Sequence, residues 1–376
     1  MSIELAWDRI GCPIEDIDTP ALLIDAAALD RNIERMADFG RSAGIHIRPH
    51  AKAHKTPMIA HRQLKAGAIG ICCQKVGEAE VMAAGGIPDI LISNEVIGKA
   101  KLSRLVALAR YTRITVAVDS KIGAEMLAEA AAAAGVTVGV VIDVDVGQGR
   151  CGVAPGDPAV LLGHDITKLP GIAFRGIQGY QGRLQHVHGY AQRVTAAQQA
   201  NVRLMETKSL LERGGFGLEI VTGGGTGTYE TEGRVAGMTE VQPGSYIFMD
   251  RQYQEIGGRS GILYDDFDTS LTVLATVVSA PTGDRVVLDA GLKALSNDAG
   301  PAAVIGLPGW TYEVAGDEHG ILRRAGDQAS RPHIGDRVHL LPSHCDTTVN
   351  LHDRFHVVRN GILESVLSIA ARGRIQ

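Results

Sequence analysis

Eight short apolar runs separated by helix-patterned stretches limit more than anything else how this 376-residue chain can fold. The runs cover residues 45–50, 68–74, 89–94, 114–119, 138–145, 173–180, 218–222 and 240–247. They recur at roughly 20–35 residue intervals, with apolar residues at helical spacing between them. Helices are expected over 29–41, 57–65, 77–84, 99–110, 121–134 and 191–213, the Ala-rich 125–134 stretch being a strong helix former. The runs are too continuously apolar for edge strands, which points to a parallel sheet covered on both faces. Eight repeats favour a (β/α)8 TIM barrel over an open doubly wound sheet.

After about residue 248 the texture changes. Apolar runs at 270–280, 284–290, 303–306, 311–314, 337–342, 356–359 and 362–369 succeed one another with Gly and Pro turns and no long helix. They read as a mainly antiparallel β domain. The expected division is a barrel over 20–246 and a β domain made of 1–19 and 247–376.

Composition agrees with tight strand–helix turns. Glycine makes up 46 of 376 residues, about 12% where roughly 7% is usual, and aromatics only 4%. A net charge of −5 argues against a nucleic-acid-binding surface. No apolar run approaches the ~20 residues of a membrane span. The N-terminus lacks an apolar signal core, and the five scattered cysteines form no CxxC pair, so the expectation is a cytoplasmic protein with reduced thiols.

In a barrel, chemistry gathers where strands end. The segments at and just after the ends of the runs are polar: Arg48-Pro-His50-Ala-Lys52-Ala-His-Lys55, then Gln74-Lys75, Ser93-Asn-Glu95, Asp145-Val-Gly147-Gln-Gly-Arg150-Cys-Gly152, Gln178-Gly-Tyr180-Gln-Gly-Arg183-Leu-Gln-His186, and Thr222-Gly-Gly224-Gly225-Thr226-Gly-Thr228. Gly244-Ser245-Tyr246 falls within the eighth run. The GxGxxG match at 147–152 lies mid-chain and lacks an acidic partner at the end of a following strand, so a dinucleotide role is rejected. The loop at 223–228 is better placed. Loops after strands seven and eight of such barrels often build a phosphate cup, with glycine amides and Ser or Thr hydroxyls as donors.

A phosphate cup without an adenine motif, plus a lysine at a strand end, suggests pyridoxal phosphate, whose aldehyde condenses with a lysine amine. Lys52, Lys55 and Lys75 are the candidates. If the first strand continued through residue 52, Arg48, His50 and Lys52 would share a face and both His50 and Lys52 would point inward. A second constellation comes late, in Ser343-His344-Cys345-Asp346. On an extended segment His344 and Asp346 would face the same way, and an imidazole with a carboxylate suits Mg²⁺, Mn²⁺ or a similar divalent ion. Cys72 and Cys73 read as core filler.

Taken in order, these motifs, with Ile92-Ser-Asn-Glu-Val96, Asp289-Ala-Gly-Leu-Lys293, Asp317-Glu-His-Gly320 and Pro342-Ser-His-Cys-Asp346, resemble the D-threonine aldolase family. That family lies within the alanine racemase-like, fold-type III pyridoxal-phosphate enzymes and is related to metal-dependent D-serine dehydratases. The resemblance runs from Asp18 to Gly373. It implies a lyase that splits D-β-hydroxy-α-amino acids in a retro-aldol reaction, working as a homodimer with active sites at the interface. It implies Lys52 as the Schiff-base lysine and Gly224, Gly225, Thr226, Gly244, Ser245 and Tyr246 as the phosphate cup. Arg150 and Tyr180 fall where relatives contact the pyridine ring, and Gln74 and Thr222 complete the expected cofactor contacts. His344 and Asp346 correspond to the ligands of a divalent metal, Mn²⁺ or Mg²⁺. The dehydratases carry a zinc-binding cysteine two residues after the histidine, whereas this chain has Asp346 there. His186 and His50 are the candidates for proton transfer. Gln181-Gly-Arg183 departs from the His-Gly-Ser of one aldolase, which bears on side-chain preference. The rival readings are a D-serine or 3-hydroxyaspartate dehydratase, a β-hydroxyaspartate aldolase, a non-enzymatic pyridoxal-phosphate carrier and a cofactor-free scaffold. The extra β domain and the His-x-Asp pair argue against the carrier.

Overall fold

The alternation of apolar run and helix closes into a barrel. A computed structural model describes residues 9–326 and 330–376, so the part of the expected β domain at residues 1–8 lies outside the described residues. The chain divides into two units, one of them spanning Ile33–Gly244 with two short later segments.

Strand β1 (Ala21–Asp25) does not join the barrel, although the sequence division starts the barrel at residue 20. It pairs antiparallel with a strand near residue 272 and parallel with one near residue 357, because its neighbours lie far along the chain. The barrel strands are β2 (His46–Ile47), β3 (Ile71–Cys73), β4 (Asp89–Glu95), β5 (Arg113–Val118), β6 (Val138–Asp143), β7 (Ile172–Gly179), β8 (Ile220–Gly223) and β9 (Glu240–Val241). They form one parallel sheet in the order β2-β9-β8-β7-β6-β5-β4-β3. An isolated parallel bridge between His50 and Cys72 joins its two ends.

All eight expected runs hold a strand. β6 is buried at all six positions, as a strand covered on both faces should be. Cys72, Leu91, Ala117, Val141 and Ile220 pack together from five of the strands. Cys72 and Cys73 are fully buried, as expected of core filler. The expected helices all form, and Asp157–Ile166 adds another. Lys121–Ala134 shows why they start where they do: Ser120 lies before the Ala-rich run, and its hydroxyl accepts the Gly123 amide at 3.3 Å.

Two strands are much shorter than their runs. The eighth run predicts strand through residue 247, but β9 ends at Val241 and Ser245–Ile247 is a 3₁₀ turn. Pro243 and Gly244 explain the stop, since Pro has no amide to give a ladder.

The second unit holds a nine-stranded, mainly antiparallel sheet. With β1 it contains β10 (Leu271–Thr282), β11 (Arg285–Leu288), β12 (Ala303–Ile305), β13 (Trp310–Val314), β14 (Gly320–Arg324), β15 (Arg337–Leu341), β16 (Arg354–Arg359) and β17 (Ile362–Ser368). The main path runs β13-β14-β11-β10-β1-β16-β17, and β15 pairs with β10 and β12. Ile17, Ala21, Leu23, Leu274, Val358 and Leu363 form a core under it. The fold is therefore the alanine racemase-like combination expected from the sequence. Among the described residues no helix is long and apolar enough to cross a membrane.

Candidate active site

The first strand does not reach Lys52. β2 ends at Ile47, and Ala51–Ala53 is a 3₁₀ turn, so the expectation that residues 48, 50 and 52 share a strand face is corrected. Arg48 turns the other way, to bury its guanidinium against Glu240 and Asp89. His50 caps the turn: its Nδ1 accepts the Lys52 amide at 3.3 Å, and its Nε2 lies 3.3 Å from Ser93 Oγ. An accepting Nδ1 leaves the proton on Nε2, so the imidazole is set to hold the Lys52 turn in shape. Gly244 lies against the same turn, for a Cβ there would stand 3.3 Å from that of His50 and 3.7 Å from that of Ala53. Lys52 itself is half-buried in the 3₁₀ turn that follows β2.

Around the C-terminal mouth, the strand ends carry a buried polar string. Gln178 Nε2 donates to Asp143 Oδ1 at 3.0 Å, and Gln178 Oε1 accepts Gln242 Nε2 at 3.2 Å. Gln242 Nε2 also donates to Thr222 Oγ1 at 2.9 Å. Burial pushes the Asp143 carboxyl up to about 7; the Gln178 bond opposes this, Glu95 adds to it, and Arg150 pulls back. Thus Thr222 and Arg150, both expected near the cofactor, act on one network, Arg150 from an exposed loop. Gln242 was missed by the sequence reading, since a lone Gln after a two-residue strand gives no signal.

The GxGxxG decoy is explained by its own aspartate. Asp145 Oδ1 accepts the amides of Gly147 and Gly149 at 2.9 and 3.0 Å, so those amides are turned inward and cannot cradle a pyrophosphate. The same loop places Cys151 beside Glu95 and Asp119, with one ligand atom from each within 4.8 Å of the others. Burial, with Glu95 adding to it, pushes the Cys151 thiol up to about 11. Tyr180 is half-buried beside Gly182, and His186 is half-buried at the end of the Gly182–His186 3₁₀ turn. Gln74 is half-buried and gives its amide to Glu78 Oε2 at 2.8 Å.

The glycine loop fits a phosphate. Gly224 takes φ +70°, open to glycine at no cost. A Cβ on Gly227 would come within 2.5 Å of the Gln185 carbonyl oxygen, so backbone approach is close there. Gln185 grips the loop: its Oε1 accepts the Gly227 amide and its Nε2 donates to Thr228 Oγ1, both at 2.8 Å. Thr226 and Gly225 are buried in this turn. The Gly227 amide is thus taken by Gln185, and the rest of the glycine turn stands at the end of β8, at the barrel mouth that also carries Lys52, where barrels of this kind often bind a phosphate.

In the β unit the His-x-Asp segment is not extended. His344 is the N-cap of the short helix Cys345–Val349, so the same-face argument fails. The pair is held by other means. A carboxylate can only accept, so His344 Nδ1 donates to Asp298 Oδ2, at 2.7 Å, and Nε2 is the imidazole nitrogen not used in that bond. Asp298 is fixed in turn by Ser296 and Thr347 hydroxyls at 2.6 and 2.9 Å. Burial opposes a charged His344, but Asp346 and Asp298 outweigh it and hold the imidazole above its ordinary pKa. Ser245 Oγ donates to Asp346 Oδ1 at 3.4 Å, and Tyr246 is buried edge-on against Phe267. Cys345 is fully buried, and burial raises its thiol well above the usual range, so it offers no thiolate. The donors on offer are one imidazole nitrogen and one carboxylate, a fit for a hard or borderline divalent ion. Asp298 had no sequence signal, lying 46 residues before its partner.

The alanine racemase N-terminal domain family matches residues 24–252, and a putative serine dehydratase domain family matches 270–358. A D-threonine aldolase from Arthrobacter sp is 44% identical over 366 residues, 96% of this chain and 95% of that protein. A 3-hydroxy-D-aspartate aldolase from Paracoccus denitrificans (strain Pd 1222) is 38% identical, covering 97% and 94%. The crystal structure of D-threonine aldolase from Filomicrobium marinum superposes with a TM-score of 0.95 at 42% identity, over 99% of this chain and all of that one.

Proposed function

Because this chain belongs to the D-threonine aldolase family of fold-type III pyridoxal-phosphate enzymes, and so is a lyase, we propose that it cleaves D-β-hydroxy-α-amino acids with the help of a divalent metal. D-threonine would give glycine and acetaldehyde. Pyridoxal phosphate, when bound, supplies an electron sink for the charge left on Cα. Mn²⁺ or Mg²⁺, when bound, supplies a Lewis acid for the β-hydroxyl oxygen.

The chain's own residues divide the remaining work. Lys52 carries the amine that takes the cofactor's aldehyde, and His50 keeps its turn in place. Gly224, Gly225, Thr226 and Gly244, with Ser245 and Tyr246, receive the phosphate. Arg150, Tyr180, Gln74 and Thr222 orient the ring. His344 and Asp346 hold the metal, and His186 moves the hydroxyl proton. We further propose a cytoplasmic homodimer with active sites at the interface. The observation that carries this reading is an aspartate, not a thiol, two residues after an imidazole already oriented by Asp298.

The test is product analysis on D-threonine, D-serine and D-3-hydroxyaspartate, with and without added Mn²⁺ or Mg²⁺. Glycine plus an aldehyde, lost after thorough chelation and restored by metal, is expected. Ammonia and a keto acid would make the protein a dehydratase. Strong preference for D-3-hydroxyaspartate would place it with the Paracoccus relative. Full activity after chelation would remove the metal from the reaction.

A further inference from the structure

Behind the glycine loop lies a carboxyl group that the reaction does not use. Glu232 ends the short helix Tyr229–Glu232 and is 5% exposed. Its side chain lies against Gly224, where a Cβ would stand 3.1–3.2 Å from Glu232 Cβ, Cγ and Cδ. Its Oε2 is buried with no hydrogen-bond partner among the described residues. The Thr228 hydroxyl also meets this carboxyl. That hydroxyl already accepts Gln185 Nε2, so its single proton is free to point at Glu232. A relay therefore runs from the Gly227 amide through Gln185 and Thr228 to Glu232.

Among the described residues no cation bears on Glu232. The groups bearing on its charge are the Thr228 hydroxyl and its own backbone amide. Glu230, on the same helix, faces Tyr190, Arg234 and Arg259, and these leave Glu232 alone. Burial pushes Glu232 up to about 8, so near neutrality it keeps its proton. A bare carboxylate there would be both desolvated and set against a phosphate dianion in the loop, two penalties of the same sign.

We propose that Glu232 is a positioning residue for the phosphate loop, acting as a neutral carboxyl through Gly224 and Thr228, so that cofactor retention depends on it. This rests on reading 223–228 as the phosphate loop. The full-length protein tests it with two probes, pyridoxamine 5′-phosphate and pyridoxamine, neither of which has an aldehyde for Lys52. The readout is the ratio of their dissociation constants, measured by equilibrium dialysis at pH 7 and pH 9.5. In the wild type the preference for the phosphorylated probe should fall about tenfold between the two pH values as Glu232 ionises. Glu232→Gln, which keeps the shape and never ionises, should hold the wild-type pH 7 preference at both. Glu232→Ala should show a weaker preference at both. If wild type and Glu232→Gln lose preference equally with pH, the proposal is overturned and the loop assignment stands. If the wild type binds both probes equally at pH 7, the loop assignment falls and the proposal with it. Because Glu232→Gln is nearly isosteric, the decision does not depend on the Ala variant folding.

Discussion

The two ends of the barrel bury charge in opposite ways. At the N-terminal end Arg48, 2% exposed, donates to Glu240 at 2.9 and 3.1 Å and to Asp89 at 2.6 Å, so each buried charge meets its opposite. At the C-terminal end Asp143 is bonded by a neutral amide and sits beside another carboxyl, Glu95. Behind the nearby loop Glu232 has an orphaned oxygen. Closed, compensated charge at the floor suits holding strands together. Shifted and partly unanswered groups at the mouth are what the proposed site calls for at the end that would receive a charged ligand. The difference warns against reading every polar residue after a strand as chemistry: Arg48 and Lys52 are four residues apart and serve opposite ends.

If the contrast is right, the two ends should fail differently. Lys52→Ala should lower turnover by on the order of 10⁴–10⁶-fold, with a melting temperature close to wild type. A Lys52→Ala protein with full turnover would break the assignment of the mouth. Arg48→Met should do the reverse. It strands the buried Glu240 carboxylate, while half-buried Asp89 keeps Arg113 at 3.7 Å, at a cost of about 3–5 kcal/mol. Urea unfolding should show that loss, while turnover per folded molecule stays near wild type. Arg48→Met with wild-type stability but depressed turnover would turn the comparison upside down.

Much of this was legible in the sequence, for one physical reason. Strands covered on both faces must be continuously apolar, so 89–94, 114–119 and 138–145 announce β4, β5 and β6 with little error. The short strands were harder. β2 and β9 keep only two ladder residues each, because the ring closes through backbone around His50 and Cys72 and not through long pairing. β14 was missed since its pattern, Gly-Ile-Leu-Arg-Arg, buries only Gly320 and Leu322. The candidate residues stood out as motifs, but their partners did not. Gln242 meets Gln178 and Asp298 meets His344, 64 and 46 residues away, and a sequence shows a residue type without showing what faces it.

The smallest effect sharpens the comparison most, because it touches the mouth without touching Lys52. Asp143 has a folded pKa near 7, raised first by burial, against an unfolded value near 3.9. Between those values the folded protein holds a proton that the unfolded chain has released. Wild-type stability therefore falls as pH rises from about 4 to about 7, then levels. Asp143→Asn keeps an oxygen for Gln178 Nε2 and never ionises. Its stability relative to wild type should climb through that window and stay higher above pH 7, by on the order of 1–3 kcal/mol. Urea unfolding at pH 5 and pH 8 reads the difference directly. Arg48→Met measured the same way should show no comparable rise relative to wild type over that window, since the Glu240 carboxylate it strands is paired in the wild type. Parallel curves for wild type and Asp143→Asn would mean that Arg150 compensates Asp143 after all, and that the mouth is as balanced as the floor.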